Sequence, residues 1–222
     1  MNGKDIVLEN ICKSYDGGRT MVLDHLSLNL RKGTVTTVQG RSGSGKTTLL
    51  NILGLLDGFD AGSYVFEGEP VKNRSGQNRI LRETKVGFIF QNYALIENRT
   101  VEDNILIAGR YSKLAFSLLR KRTDALLERL SLSGFQKKRV SRLSGGEKQR
   151  AAIARALVKE PALILADEPS GNLDEENAGV ISRVLKEYAE AGHTVLIVTH
   201  NPHIFRDADV RTVLEGGKLH LL

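Results

Sequence analysis

At 222 residues, with 41% hydrophobic and 26% charged residues, the chain is long enough for one large domain with a sizeable core and has an ordinary globular balance. Its formal charge of +6 is modestly basic. The runs Arg120-Lys121-Arg122 and Lys137-Lys138-Arg139 lack interleaved aromatics and lie near Asp124 and Glu128, so they read as a solvated helix face and no nucleic acid is expected. Cys12 is the single cysteine, which excludes an internal disulfide, makes a reducing compartment the default, and itself reads as a small buried hydrophobe.

Along the chain, Leu26, Leu28 and Leu30 alternate with polar partners, as does much of Gly62 to Val71, a pattern for half-exposed antiparallel strands. Thr34 to Gln39 reads as a strand. The runs Val86 to Phe90, Ala162 to Ala166 and Thr194 to Thr199 are nearly all apolar, as strands buried on both faces require. Thr100 and Asp103 signal a helix start with Val101, Ile105 and Ala108 on one face, and about 100–138 is helical in character. Ser144 followed by Glu147 reads as a capping box opening a helix through Ile153 and Leu157. Ile181, Val184, Leu185 and Tyr188 mark a one-sided helix that Gly192 stops, and Gly216-Gly217 turns a small hairpin within Val210 to Leu219. Apolar runs alternating with helical patterns predict an α/β chain with a mostly parallel sheet and an N-terminal antiparallel β region. No segment approaches the ~20 apolar residues that a membrane crossing takes. Leu49 to Leu56 is too short and is interrupted by Asn51 and Gly54. No secretory signal is visible, so any membrane span is expected from another chain.

Gly40-Arg41-Ser42-Gly43-Ser44-Gly45-Lys46-Thr47 fits G-x-x-x-x-G-K-[ST], a nucleoside triphosphate cradle between a strand and a helix. Glycines let backbone N–H groups approach the phosphates, Lys46 sets a point charge on the β/γ-phosphates, and the Thr47 hydroxyl is a magnesium ligand. Leu163-Ile164-Leu165-Ala166-Asp167-Glu168 is a buried strand ending in two carboxylates, where such folds hold magnesium through the first, Asp167. Gln91, Asp167, Glu168 and His200 all fall at or just past strand C-terminal ends, where open α/β sheets bind ligands.

About a hundred residues beyond the cradle stands Leu143-Ser144-Gly145-Gly146-Glu147-Lys148-Gln149, which has no role in simple phosphate-loop enzymes. The two motifs together resemble the ATP-binding cassette, the motor subunit of ABC transporters, over almost the whole chain. The resemblance implies a phosphate-loop cassette of one domain, 1–222, with a nucleotide-binding core at 1–91 and 143–222 and an inserted helical lobe at 92–142. It implies an ATPase using ATP and Mg2+. Nucleotide contacts fall on Tyr15, against adenine, on Gly40, Arg41, Ser42, Gly43, Ser44, Gly45, Lys46, Thr47 and Thr48, and on Ser144, Gly145, Gly146 and Glu147, which face the nucleotide of a partner cassette. Magnesium would be held by Thr47, Gln91 and Asp167, with Glu168 as general base and Lys46, Gln91 and His200 completing the catalytic set. Ser170-Gly171-Asn172-Leu173-Asp174 resembles the family's subunit-contact loop, with Asp174 its contact residue.

The implied partners are a second cassette, forming a homodimer, and an integral membrane permease subunit that would hold the chain at the cytoplasmic face of the inner membrane. Gly87 to Leu95 and Ala166 to Asp174 resemble bacterial cassettes of the lipoprotein, macrolide and antimicrobial-peptide export group, with Gln91 through Val101 nearest to bacteriocin exporters. Gln39 and Ser170 depart from the usual pattern without touching the hydrolytic residues. A soluble ABC ATPase acting on ribosomes or DNA is the competing class. Such proteins usually carry paired cassettes or a long coiled coil, and neither is seen here.

Overall fold

The computed structural model describes residues 5–73, 78–110, 114–170 and 175–222. In chain order the elements are β1 (Ile6–Tyr15), β2 (Thr20–Leu30), β3 (Val35–Gln39), α1 (Lys46–Leu53), β4 (Ala61–Phe66), β5 (Glu69–Pro70), α2 (Asn78–Lys85), β6 (Val86–Ile89), α3 (Val101–Gly109), α4 (Phe116–Arg129), α5 (Gly145–Leu157), β7 (Leu163–Asp167), α6 (Glu175–Glu190), β8 (Thr194–Val198), α7 (Pro202–Asp207), β9 (Val210–Glu215) and β10 (Lys218–Leu221). They form a four-stranded antiparallel sheet, β2-β1-β4-β5, and a six-stranded sheet, β10-β9-β3-β8-β7-β6, in which only the β9–β10 pair is antiparallel.

The all-apolar strands are divided by their pleat between two cores. Leu163, Leu165, Leu196, Val198 and Val38 point to one side, where they pack with α1 and the antiparallel sheet. Ile164, Ala166, Val195, Ile197 and Val35 point to the other, joining Ile153 and Leu157 of α5, Ile181 and Leu185 of α6, and Leu126 and Leu127 of α4. This burial on both faces is why β6, β7 and β8 lack polar alternation. Among the described residues, no helix is long and apolar enough to cross a membrane.

Local chemistry sets several boundaries. The half-exposed antiparallel strands expected over 62–71 form a hairpin: Glu67 (φ 49°) and Gly68 (φ 87°) turn β4 into β5, the two positive φ values that a tight hairpin turn needs. In the stretch at about 100–138, expected to be helical in character, the described residues form two helices, α3 and α4, followed by irregular chain. Thr100 caps α3, exchanging hydrogen bonds with Asp103 in a capping box. Helix α2 has no fully buried residue, and its only apolar residues are the adjacent Ile80 and Leu81. Leu81 packs partly buried against the core, Lys159 Nζ donates to the Glu83 carbonyl at 2.7 Å, and Arg79 pairs with Glu83 at 2.7 Å within the helix.

Candidate functional site

The phosphate loop leaves β3 and enters α1. Gly45 sits at φ 102°, and a Cβ there would stand 3.0 Å from Val22 Cγ1 and 3.1 Å from the Val22 carbonyl oxygen, so glycine alone fits beneath β2. No side chain caps α1, so its first N–H groups keep their hydrogen-bonding capacity for an anion. Lys46 Nζ donates to the carbonyls of Gly40 at 2.6 Å and Arg41 at 2.8 Å. Its cation is thereby held over the loop, and Ser44 N–H closes the turn onto Arg41 O at 3.1 Å.

Parallel strand order then does the assembling. Asp167 ends β7, Glu168 follows it, and Gln91 and His200 lie two residues past β6 and β8. Together with Ser42, Gly43, Gly45, Lys46, Thr47, Thr48 and Val22 these four line one cavity of about 490 Å³. A neighbouring cavity of about 530 Å³ shares Ser42, Gly43 and His200 and adds Gly40, Arg41 and Ser44. A larger one, about 620 Å³, lies among Arg99, Asp103, Ile107 and Phe116 and contains no phosphate-loop residue.

Glu168 adopts φ 45°, a left-handed conformation that is uncommon for a side chain of this kind. Its N–H is anchored to Val198 O at 2.8 Å, its Oε2 accepts the His200 backbone N–H at 3.2 Å, and its Oε1 lies 3.7 Å from His200 Nε2. Oε1 is buried with no hydrogen-bond partner. Burial, together with the neighbouring Glu168 charge, raises the Asp167 pKa, against a lowering pull from Lys46. Crowded carboxylates, one with an orphaned oxygen, beside a hydroxyl and an amide make an oxygen-rich donor set that suits a hard divalent cation such as Mg2+.

Ser144–Glu147 do not line either phosphate-loop cavity. Ser144 caps α5: its Oγ accepts the Glu147 N–H at 3.3 Å, and Glu147 Oε2 accepts the Ser144 N–H at 2.7 Å. Burial raises the Glu147 pKa, but the Ser144 N–H and the Lys138 ammonium outweigh it and leave the net shift downward. The Glu147 carboxylate is thus spent on shaping the helix start, while Gly145 and Gly146 present bare backbone there. Gly145 is closely approached by Tyr93, whose hydroxyl would lie 3.1 Å from an added Cβ.

Sequence reading missed Arg155. From α5 its guanidinium donates to the carbonyls of Tyr93, at 2.9 Å, and Ala94, both in the left-handed region at φ 63° and 49°. The partners are 62 residues apart, so no local pattern announces the contact. Arg155→Ala is expected to lower the local opening free energy of this loop by about 1.5–3 kcal/mol, the worth of a charged hydrogen bond. Hydrogen exchange at residues 93–95 measures it.

Tyr15 stands apart from the cavity lining, at the end of β1 in the antiparallel sheet and 40% exposed. Of the run ending at Asp174, Ser170 is buried, and residues 171–174 lie outside the described residues. Cys12 is buried, as expected.

A phosphate loop, carboxylates at strand ends and a separate glycine-rich helix start on this two-sheet frame define an ATP-binding cassette. Residues 23–171 match the family described as ABC transporter, and the chain belongs to that family, with the fold of its ATP-hydrolysing cassette. The macrolide export ATP-binding/permease protein MacB of Chromobacterium violaceum is 41% identical over 222 residues, covering 99% of this chain and 34% of that protein. MacB of Brucella melitensis is 38% identical over 217 residues, covering 96% and 34%. The chain therefore spans about a third of the length of these curated relatives. Among solved structures, the dimeric bacterial ABC transporter cassette MJ0796 has a TM-score of 0.88 at 33% identity over 97% of this chain and 96% of that one. CbiO1 of Clostridium perfringens, part of the transporter complex CbiONQ, has a TM-score of 0.87 at 29% identity over 97% and 86%. The MacB relatives agree with the exporter-group resemblance read from the sequence.

Proposed function

We propose that this chain binds Mg-ATP at the interface of a head-to-tail homodimer and hydrolyses it to drive a membrane permease subunit at the cytoplasmic face of the inner membrane. The proposed cargo is a peptide, lipoprotein or antimicrobial that is exported or extracted. One observation carries the dimer: the cavity holding Lys46, Asp167, Glu168 and His200 has none of Ser144–Glu147 in its lining, so a second phosphate-binding surface on the same chain has no phosphate of its own to meet. Ser144, Gly145 and Gly146 at the start of α5 would close the site of the partner copy, with Asp174 at the contact. The dimeric state in which MJ0796 was solved, and its form bound to ADP and Pi, support this reading. The permease part of the MacB name supports a membrane partner.

Within one site, Lys46 and the α1 N–H groups neutralise the triphosphate, and Arg41, Ser42 and Ser44 border it. Thr47, Gln91 and Asp167 would hold Mg2+, which when bound supplies charge neutralisation between the phosphates. Glu168, with Oε1 unpaired and in a braced backbone, orients the attacking water and takes its proton. His200 touches the γ-phosphate, and Tyr15 stacks on adenine. We assign the core to 1–91 and 143–222 and a helical lobe to 92–142, which would pass the change on losing the γ-phosphate to the permease. Sizing with light scattering tests the assembly. A dimer at saturating Mg-ATP in the Glu168→Gln background is expected, and a monomer there overturns it.

A further inference from the structure

We infer that Lys13 and Asp57 are positioning residues that lock Tyr15 as a preset platform for the nucleotide base. This rests on the proposed stacking of Tyr15 on adenine. Lys13 is a buried lysine, its side chain only 4% exposed, in a strand whose other buried residues are mainly apolar. An unpaired buried ammonium is costly, and here it meets Asp57 Oδ2 at 2.9 Å. The same Oδ2 accepts the Tyr15 hydroxyl at 3.0 Å, and Lys13 Nζ stands over the Tyr15 ring, 4.9 Å from its centroid. Asp57 thus ties down both the ring's hydroxyl and the cation that covers one ring face. A base can stack only on the opposite face.

The clamp reaches beyond this triad. Asp60 Oδ2 accepts both the N–H and the hydroxyl of Ser14 at 2.7 Å, and Asp60 N–H donates to Cys12 O at 2.8 Å. Residues 12–15 are therefore fastened to the loop at 57–60, which follows α1, the helix that the phosphate loop opens. Base platform and phosphate cradle are ends of one braced unit, so little ordering remains to be done when a nucleotide arrives.

The test measures affinity for Mg-ATP and for inorganic tripolyphosphate by calorimetry, in the Glu168→Gln background. Asp57→Ala, and the double variant Lys13→Met/Asp57→Leu that leaves no buried charge, are compared with Tyr15→Ala. The expected result is ATP binding weaker by about fivefold or more for each, the scale of one base–aromatic stack, with tripolyphosphate binding unchanged. Adding Asp57→Ala to Tyr15→Ala should cost nothing further. Equal losses for ATP and tripolyphosphate, or unchanged ATP affinity in the double variant while Tyr15→Ala weakens it, overturn the clamp. Unchanged ATP affinity in Tyr15→Ala instead overturns the stacking reading on which it rests.

Discussion

Glu168→Gln is expected to bind Mg-ATP with near-unchanged affinity, to slow turnover by about 10²–10⁴-fold, and to accumulate as a dimer. The structure explains why the loss should be confined to chemistry. Glu168 is held at φ 45° by its N–H bond to Val198 O and by the His200 N–H donated to Oε2. A glutamine carbonyl can accept that second bond, so the backbone keeps its bracing, while the amide cannot take a proton from water. Phosphate release at saturating ATP measures the first effect and light scattering the second. Wild-type turnover in this variant would remove Glu168 from the role of base.

Lys46→Ala is expected to abolish useful ATP affinity rather than turnover alone. The ammonium now donates to two loop carbonyls, Gly40 O and Arg41 O, and faces the cavity in which triphosphate would lie. Charged hydrogen bonds are worth about 1.5–3 kcal/mol each, so losing two at the phosphates corresponds to about 10²–10⁴-fold in affinity. Lys46→Arg is expected to rescue poorly, because a planar fork replaces a compact cation on a flexible stem. Thermal stability should change little, since the loop itself is exposed at Arg41, Ser42 and Gly43. Calorimetric titration with ATP, beside a melting curve, separates the two outcomes.

Much of this was legible because it is local. The phosphate-loop glycines, the Ser144–Glu147 box and the Thr100–Asp103 box each involve residues within a few positions of one another, and the structure forms all three as hydrogen bonding and φ preference dictate. The apolar runs at β6, β7 and β8 announced burial on both faces. The alternation at 62–71 announced antiparallel strands but not where the chain turns, which the positive φ values of Glu67 and Gly68 set. Helix α2 was harder to read because its only apolar residues are Ile80 and Leu81; Leu81 packs partly buried on the core, and Lys159 grips the Glu83 carbonyl from 76 positions away.

By itself, then, the sequence determined the phosphate cradle, the capped start of α5 and the strand ends that carry Gln91, Asp167, Glu168 and His200, since each depends on neighbouring residues and backbone preference. Only the tertiary structure decided that these four ends meet beside Lys46, because the order β3-β8-β7-β6 brings distant strands side by side. It also decided that Arg155 grips residues 93 and 94, and that Lys13 and Asp57 meet at Tyr15. Those contacts join residues tens of positions apart, and no periodicity or motif encodes a contact whose partners only packing brings together.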